Sequence, residues 1–332
     1  MTVLKSRLAK AGRTALLVSG LVCGSWAASA ADIVARFGFV GIEDHPSTQA
    51  LQRFAQLVST RTNGTVEIQL FLGGQLGGEK EMSEQIRLNS LQGALVTNAA
   101  LSSWVPEGQI FDLPFIFRDD DHAHSVTTGP IGQRLAQKFT PQGFHVSAFW
   151  VVGTRHPMGR VPVRTPDDVK GKKMRVIQSP LHIEIWRTLG ANPTPIPHTE
   201  IYNSVQTGVV DILDNSMTTY WFSKFYEVAP HFTLLGHIYA VGPIVFSEQF
   251  WKRLSPAQQA AIDRSALDAA HFQNHLIILN EERALANAEK AGSKVLRGVD
   301  KAPWRKAMAP IWEKWAPQVG GIERINEIVN SN

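Results

Sequence analysis

The stretch "TVEIQLFLGG" alternates apolar and polar residues with period two, the pattern of a half-buried strand, and "ADIVARFGFV" before it predicts another. Between them "STQALQRFAQLVSTRTNG" carries apolar residues at helical spacing and stops on Asn-Gly. "EKEMSEQIRLNSLQG" predicts a helix ended by Gly93, "ALVTNA" a short buried strand, and "QIFDLPFIF" an extended apolar segment. "GPIGQRLAQKFTPQG" follows as helix and turn, then "FHVSAFWVVG" as a strand. A second series runs strand 173–177, helix 181–189, strand 193–197, helix 199–207, strand 209–214. From Ser255 to Ala291 the pattern is one long helix, with Pro256 near its start and Gly292 at its end. At about 1.5 Å per residue it would run about 50 Å, more than the width of one small domain. Strands alternating with helices give an α/β fold class, and 332 residues, 44% of them apolar, supply core for two domains.

The first 30 residues stand apart. Lys5, Arg7, Lys10 and Arg13 precede the apolar run "TALLVSGLVCGSWAA", which is too short to span a bilayer comfortably. "ASA" at 28–30 then fits a small-x-small cleavage site, so the segment is expected to be a secretory signal peptide cut after Ala30. A lipoprotein would use Cys23, but Val22 stands where a small residue is wanted. Cleavage changes the charge picture. The chain has 33 basic and 29 acidic residues; removing the four basic residues of the leader leaves 29 of each. Nucleic-acid binding thereby loses its main support. The single cysteine leaves too, so neither disulfide nor thiol chemistry is expected in the mature chain.

Several polar residues fall at the ends of buried strands, where open α/β sheets bind ligands. Asn98 follows "GALVT", Arg155 follows "FWVVGT", Arg175 sits inside "KKMRVI", and Asn215 follows "VVDILD". A guanidinium cannot be neutralised at any attainable pH, and burying it unpaired is expensive. Two such groups near one site call for an anion, and a carboxylate matches the guanidinium fork. The structural alternative pairs each arginine locally, Arg155 with Asp167 or Asp168 and Arg175 with Glu184.

The segments "GTRHP", "GKKMRVIQSP", "GANPTPIPHTEIYNSVQTGVVDILDNS" and "KFYEVAP" resemble the solute-binding proteins of tripartite ATP-independent periplasmic (TRAP) transporters of the C4-dicarboxylate-binding type. "TNGTVEIQLFLGGQLGGEKEM" and "IFDLPFIF" agree, so the resemblance covers essentially the whole mature chain. It implies a periplasmic-binding-protein-like fold of two α/β domains, residues 31–152 with 241–280 and residues 153–240 with 281–332, a ligand cleft between them and the long helix spanning both. It implies a periplasmic receptor and not an enzyme, with no cofactor and no metal. It also implies a small organic acid as ligand, and small and large membrane subunits as partners of a monomer. Arg175 matches the arginine that salt-bridges the substrate carboxylate, Arg155 the second arginine, and Asn215 a hydrogen-bonding asparagine. Asn98 falls where some members place an acidic or amide contact, His198 where members vary their pocket wall, and Glu79 at the head of a helix beside the cleft. Trp150, Tyr220 and Trp221 are candidate pocket faces. Each has a plainer reading: Glu79 suits a first helical turn, His198 a helix cap, and the aromatic residues ordinary core.

Other chemistry finds little support. His271 and His275 lie four apart on the long helix, but "HFQNH" lacks the Glu of a metalloprotease pair and no third ligand is evident. "DDDHAH" at 119–124 is expected to be an exposed loop. "LGGQLGGEK" matches neither phosphate-binding glycine motif, and no G-x-S-x-G occurs. A polar pocket with Glu79, Asn98 and His198 points to a hydroxylated acid such as a uronate or aldonate, and the Glu79 charge would repel the far end of a dicarboxylate. The alternatives are a secreted α/β enzyme acting on an anionic substrate, and a periplasmic ligand sensor.

Overall fold

The computed structural model describes residues 31–331. The leader, its cleavage point and Cys23 lie outside the described residues. Strand β1 (Ile33–Gly38) pairs in parallel with β2 (Val66–Phe71) and β3 (Gly93–Leu95). The helix Pro46–Arg61 joins the first two strands and the helix Glu79–Arg87 the next two. Strand β4 (Phe144–Gly159) is 16 residues long. Beyond it lie β5 (Lys173–Val176), β6 (Asn192–Pro195), β7 (Ile212–Asn215), β8 (His231–Thr233), β9 (Ile238–Ser247) and β10 (Lys294–Leu296). The sheet order is β2-β1-β3-β9-β4-β7-β5-β6, with β8 against β4 and β10 against β8. The mixed α/β architecture expected from the alternating pattern is present, and β4 joins its two parallel series. β4 runs antiparallel to β9 along most of its length, then to β7 from His156 to Gly159.

Two irregularities bend that strand, between Val146 and Ala148 and between Val151 and Gly153. Gly153 has φ +125, and a Cβ there would lie 2.7 Å from the Ser216 Cβ, so only glycine lets β4 pass this close to its neighbours.

The long helix runs Pro256–Lys290, within a residue of the sequence expectation. Ser255 and Gln258 form a reciprocal capping box, Pro256 occupies the first turn, and Gly292 follows with φ +104. The helix is tied to the rest of the chain by Gln273 Nε2 donating to Ser47 Oγ at 2.8 Å, and by Arg61 bonding Asp268 at 2.5 Å. Its Glu281 accepts from the Thr154 amide at 3.2 Å, just past the Gly153 irregularity. Among the described residues no helix is long and apolar enough to cross a membrane.

Glu281 gives a testable pH dependence. Burial, assisted by Asp120 and Glu282 against the Thr154 hydrogen bond, pushes its carboxyl up from 4.5 to about 8. The folded chain therefore holds a proton that the unfolded chain releases. Stability is full below about pH 4.5, declines by up to about 1.4 kcal/mol per pH unit as pH rises towards 8, and levels off above that. Glu281→Gln removes this dependence, so melting curves should show the variant gaining on the native chain at pH 8 relative to pH 5. An equal difference at both values would count against a neutral Glu281.

Three local expectations need correction. The helix from Glu79 stops at Arg87, with Asn89 at φ +58, and Gly93 opens β3 instead of ending the helix. A Cβ on Gly93 would sit 2.8 Å from both the Phe37 ring and the Val245 carbonyl oxygen, so the glycine serves strand packing. "QIFDLPFIF" is not extended: Pro106–Asp112 forms 3-10 helix, because a continuous apolar run carries no periodicity to separate helix from strand. "DDDHAH" is not an exposed loop. Asp119 caps a helix Asp120–Thr128 by accepting from the His122 amide at 2.8 Å, and His122 is buried with its Nε2 3.0 Å from the Ile328 carbonyl oxygen.

Candidate functional site

The register of three neighbouring strands builds the site. β7 lies between β4 and β5, opposing His156 to Asn215 in antiparallel register and aligning Leu213 with Arg175 in parallel. Arg155, Asp214, Asn215 and Arg175 therefore gather at the carboxyl ends of β5 and β7, as the general rule for such sheets anticipates. The ends of β1 and β3 face them with Phe39–Gly41 and Leu95–Thr97, and these segments together line one cavity with Glu79, Arg155, Arg175, His198, Asn215 and Ser216.

Arg155 is 3% exposed and already paired. Its Nε donates to Asp214 Oδ2 at 2.7 Å and its Nη2 to Oδ1 at 2.9 Å, a bidentate ion pair. Burial alone would raise the Asp214 carboxyl, but Arg155 and the hydrogen bond from His237 outweigh it and hold Asp214 well below the usual range. His237 Nε2 lies 3.2 Å from Asp214 Oδ2. The local pairing of Arg155 with Asp167 or Asp168 is absent: Asp167 bonds Lys170, and Asp168 caps the Arg164 and Thr165 amides.

Arg175 is also 3% exposed, yet among the described residues it has no carboxylate in ion-pair contact. Its Nε donates to the Ile196 carbonyl oxygen at 2.8 Å. Glu184, its local alternative, bonds Lys314 at 2.5 Å instead. Burial, with the charge of Arg155 added, pushes the Arg175 guanidinium down to about 9, still protonated at neutral pH. Among the described residues its terminal nitrogens bond no protein atom, and the residue lines the cavity.

Glu79 heads its helix as expected. Its Oε1 accepts from the Thr97 amide at 2.9 Å and its Oε2 from the Thr97 hydroxyl at 2.8 Å. Burial raises its carboxyl despite Thr97, Arg175 and Arg155, which all act to lower it. His198 lines the cavity with no cap hydrogen bond from its side chain; burial, then Arg175, His45 and Arg155, hold it at about 3, so it is neutral. Asn215 Oδ1 accepts from the Ser216 amide at 2.9 Å, which leaves its NH2 group for the cavity.

Four expected contacts lie elsewhere. Asn98 is fully buried at the start of the short helix Asn98–Leu101 and does not line the cavity. Trp150 is core: its Nε1 donates to the Ala266 carbonyl oxygen at 3.0 Å, turning the ring toward the long helix. Tyr220 donates to the Ala229 carbonyl oxygen at 2.8 Å and packs on Phe232, and Trp221 stacks on Tyr226. Among the described residues no tryptophan lines the cavity. His271 bonds His124 at 2.8 Å, and among the described residues no group of three or more His, Cys, Asp or Glu is placed to hold a metal.

Other lining residues were not anticipated. His45 caps the helix Pro46–Arg61 through Nδ1, which accepts from the Ser47 amide at 3.1 Å, while its Nε2 lies 3.4 Å from Thr219 Oγ1. Burial holds it at about 4 and therefore neutral. The His-Pro pair before that helix was the available signal. Ser47, Thr97, Ser216, Thr219 and Ser223 add hydroxyls to the wall.

A family model described as "Bacterial extracellular solute-binding protein, family 7" matches residues 37–318. The chain is 30% identical over 295 residues to the 2,3-diketo-L-gulonate-binding periplasmic protein YiaO of Escherichia coli, covering 89% of this chain and 90% of that protein. A TRAP periplasmic solute-binding protein from Polaromonas sp. JS666 bound to D-erythronate superposes with a TM-score of 0.88 at 30% identity, over 90% of this chain and 99% of the other. One from Xanthobacter autotrophicus Py2 with bound β-D-galacturonate gives 0.86 at 29% identity, over 90% and 100%.

Proposed function

The chain belongs to the bacterial extracellular solute-binding proteins, family 7, the receptors of TRAP transporters, and from that premise we propose that its ligand is a hydroxylated monocarboxylate such as a uronate or aldonate. One observation carries this reading: Arg175 is a buried cation facing the cavity with no carboxylate in contact among the described residues. A ligand carboxylate supplies the missing partner, in surroundings where an ion pair is worth more than at the surface. Arg155 stays on Asp214 and adds its charge to the same wall. One unpaired guanidinium matches one carboxylate. The remaining lining, with Asn215, His45, His198, Thr97 and the serine hydroxyls, offers hydrogen bonds to hydroxyl or keto groups, and Glu79 accepts from a hydroxyl. The relatives binding 2,3-diketo-L-gulonate, D-erythronate and β-D-galacturonate support the same chemistry.

The receptor works in the periplasm and binds without turnover. Residues 31–152 with 241–280 and residues 153–240 with 281–332 close on the ligand, β4 flexing where Gly153 interrupts it. The closed form is what the small and large membrane subunits recognise. A thermal-shift panel tests the ligand class. D-Galacturonate, D-glucuronate, D-erythronate and 2,3-diketo-L-gulonate are compared with succinate, since a ligand at about 100 times its Kd stabilises by about 2.7 kcal/mol. At least one sugar acid is expected to raise the melting temperature by several degrees, more than succinate does, and to be recovered unchanged. A response to succinate alone, or consumption of the acid, defeats the proposal.

A further inference from the structure

We propose that Glu79 takes up a proton when the cavity takes up its carboxylate ligand, so that the anion enters together with one hydrogen ion from solvent. The inference rests on the receptor reading above. Four charged side chains meet at this place: Arg155, Arg175, Asp214 and Glu79. Arg155 and Asp214 cancel in a bidentate pair. Arg175 has no such partner; it feels Asp214, already engaged with Arg155, and Glu79 only through space. With Glu79 ionised, the empty site sums to zero. A ligand carboxylate seated on Arg175 makes the sum minus one, in a wall that also contains Phe39, Leu95, Val96 and Ile177. Excess buried charge is costly, and the usual relief is neutralisation of a titratable group.

Glu79 is the group placed to give way. Arg155 faces it from β4, Arg175 from β5 and Thr97 from the segment after β3, and Lys80 and Glu81 follow it on its own helix. The two arginines and the helix start favour its anion, while burial already moves it the other way. A ligand carboxylate on Arg175 masks one of those arginines and adds a like charge nearby, so both changes favour protonation. The competing acceptors are His198 and His45, also in the wall, but they start at about 3 and about 4 and would have to climb further to be charged near neutrality. Protonated Glu79 still accepts from the Thr97 amide at Oε1. Its Oε2 becomes a hydroxyl that can donate to a ligand oxygen or to Thr97 Oγ1, whose hydroxyl can rotate.

The test is calorimetric titration of the full mature chain with D-galacturonate, or with the panel acid that binds more tightly, in phosphate and in imidazole buffer. Close to one proton is expected to be taken up per ligand bound. Affinity is full below the free-state value of Glu79, weakens up to about tenfold per pH unit as pH rises towards the bound-state value, and is flat beyond it. Glu79→Gln, a neutral isostere, is expected to bind with no uptake and with an affinity independent of pH. Buffer-independent heats with a flat Kd from about pH 5 to about pH 9 overturn the proposal and leave the receptor reading standing. Uptake that persists in Glu79→Gln overturns the assignment to this residue. Failure of every acid to bind overturns the receptor reading itself, and this inference with it.

Discussion

Arg175→Ala is expected to abolish most ligand binding while leaving the empty protein as stable as before or more so. In the complex the substitution strands a buried ligand carboxylate. Truncating one member of such a pair costs roughly 2–5 kcal/mol, about 30- to 5000-fold in affinity at 1.4 kcal/mol per decade. Arg175→Lys keeps the charge but loses the planar fork, so it should recover only part of the affinity. The empty protein behaves differently. There Arg175 is a buried charge beside a second arginine, compensated by the Ile196 carbonyl and at a distance by Asp214 and Glu79. Its removal relieves a desolvation cost and a like-charge repulsion. Titration of the cognate acid alongside melting of the empty chain separates this from a structural role. A structural arginine would give the reverse result, unchanged affinity and a lower melting temperature.

Asp214→Ala is expected to show the opposite balance and the largest loss of stability of any change at the site. Asp214 is fully buried, holds Arg155 through two hydrogen bonds and meets His237 at Oδ2. Without it Arg155 loses its ion-pair partner in the interior, beside a second guanidinium, with only Asp112 and Glu79 acting at a distance. Breaking a buried pair from one side typically costs about 3–5 kcal/mol, a large share of the stability of an ordinary domain. Denaturant unfolding at neutral pH should show the midpoint falling by that equivalent. The pH sign is fixed by the depressed carboxyl. The contribution of Asp214 is present above the unfolded carboxylate value and is lost as pH falls toward its folded one, so the gap between native chain and variant should narrow only in strong acid. A variant as stable as the native chain would mean that Arg155 finds another counterion.

Arg175 and Arg155 stood out in the sequence as charges inside or directly after an apolar strand, a position that local ion pairs could also explain, and the family resemblance gave them a role. Asp214 was visible as a residue but not as a partner. The pairing that brings β4 against β7 joins positions 59 apart, and no local pattern encodes it. The same gap explains the local ion pairs proposed for both arginines, since nearness in sequence was the only available measure. Asn98, Trp150 and Tyr220 show a related limit. Each belongs to a segment that borders the site, but whether a side chain turns into the cavity or into the core depends on what packs behind it. For Trp150 that is the Ala266 carbonyl on the long helix, more than a hundred residues away. His45 escaped notice because its capping role hides a second face that opens on the cavity.

The absence of tryptophan from the cavity wall has an optical consequence. A bound sugar acid absorbs nothing in the near ultraviolet and touches no indole, so it cannot quench emission by contact. A change in intrinsic fluorescence on adding ligand then reports on indoles outside the wall, such as Trp221 stacked on Tyr226. Set against calorimetric saturation, an emission change that does not track occupancy would mark the closure proposed above.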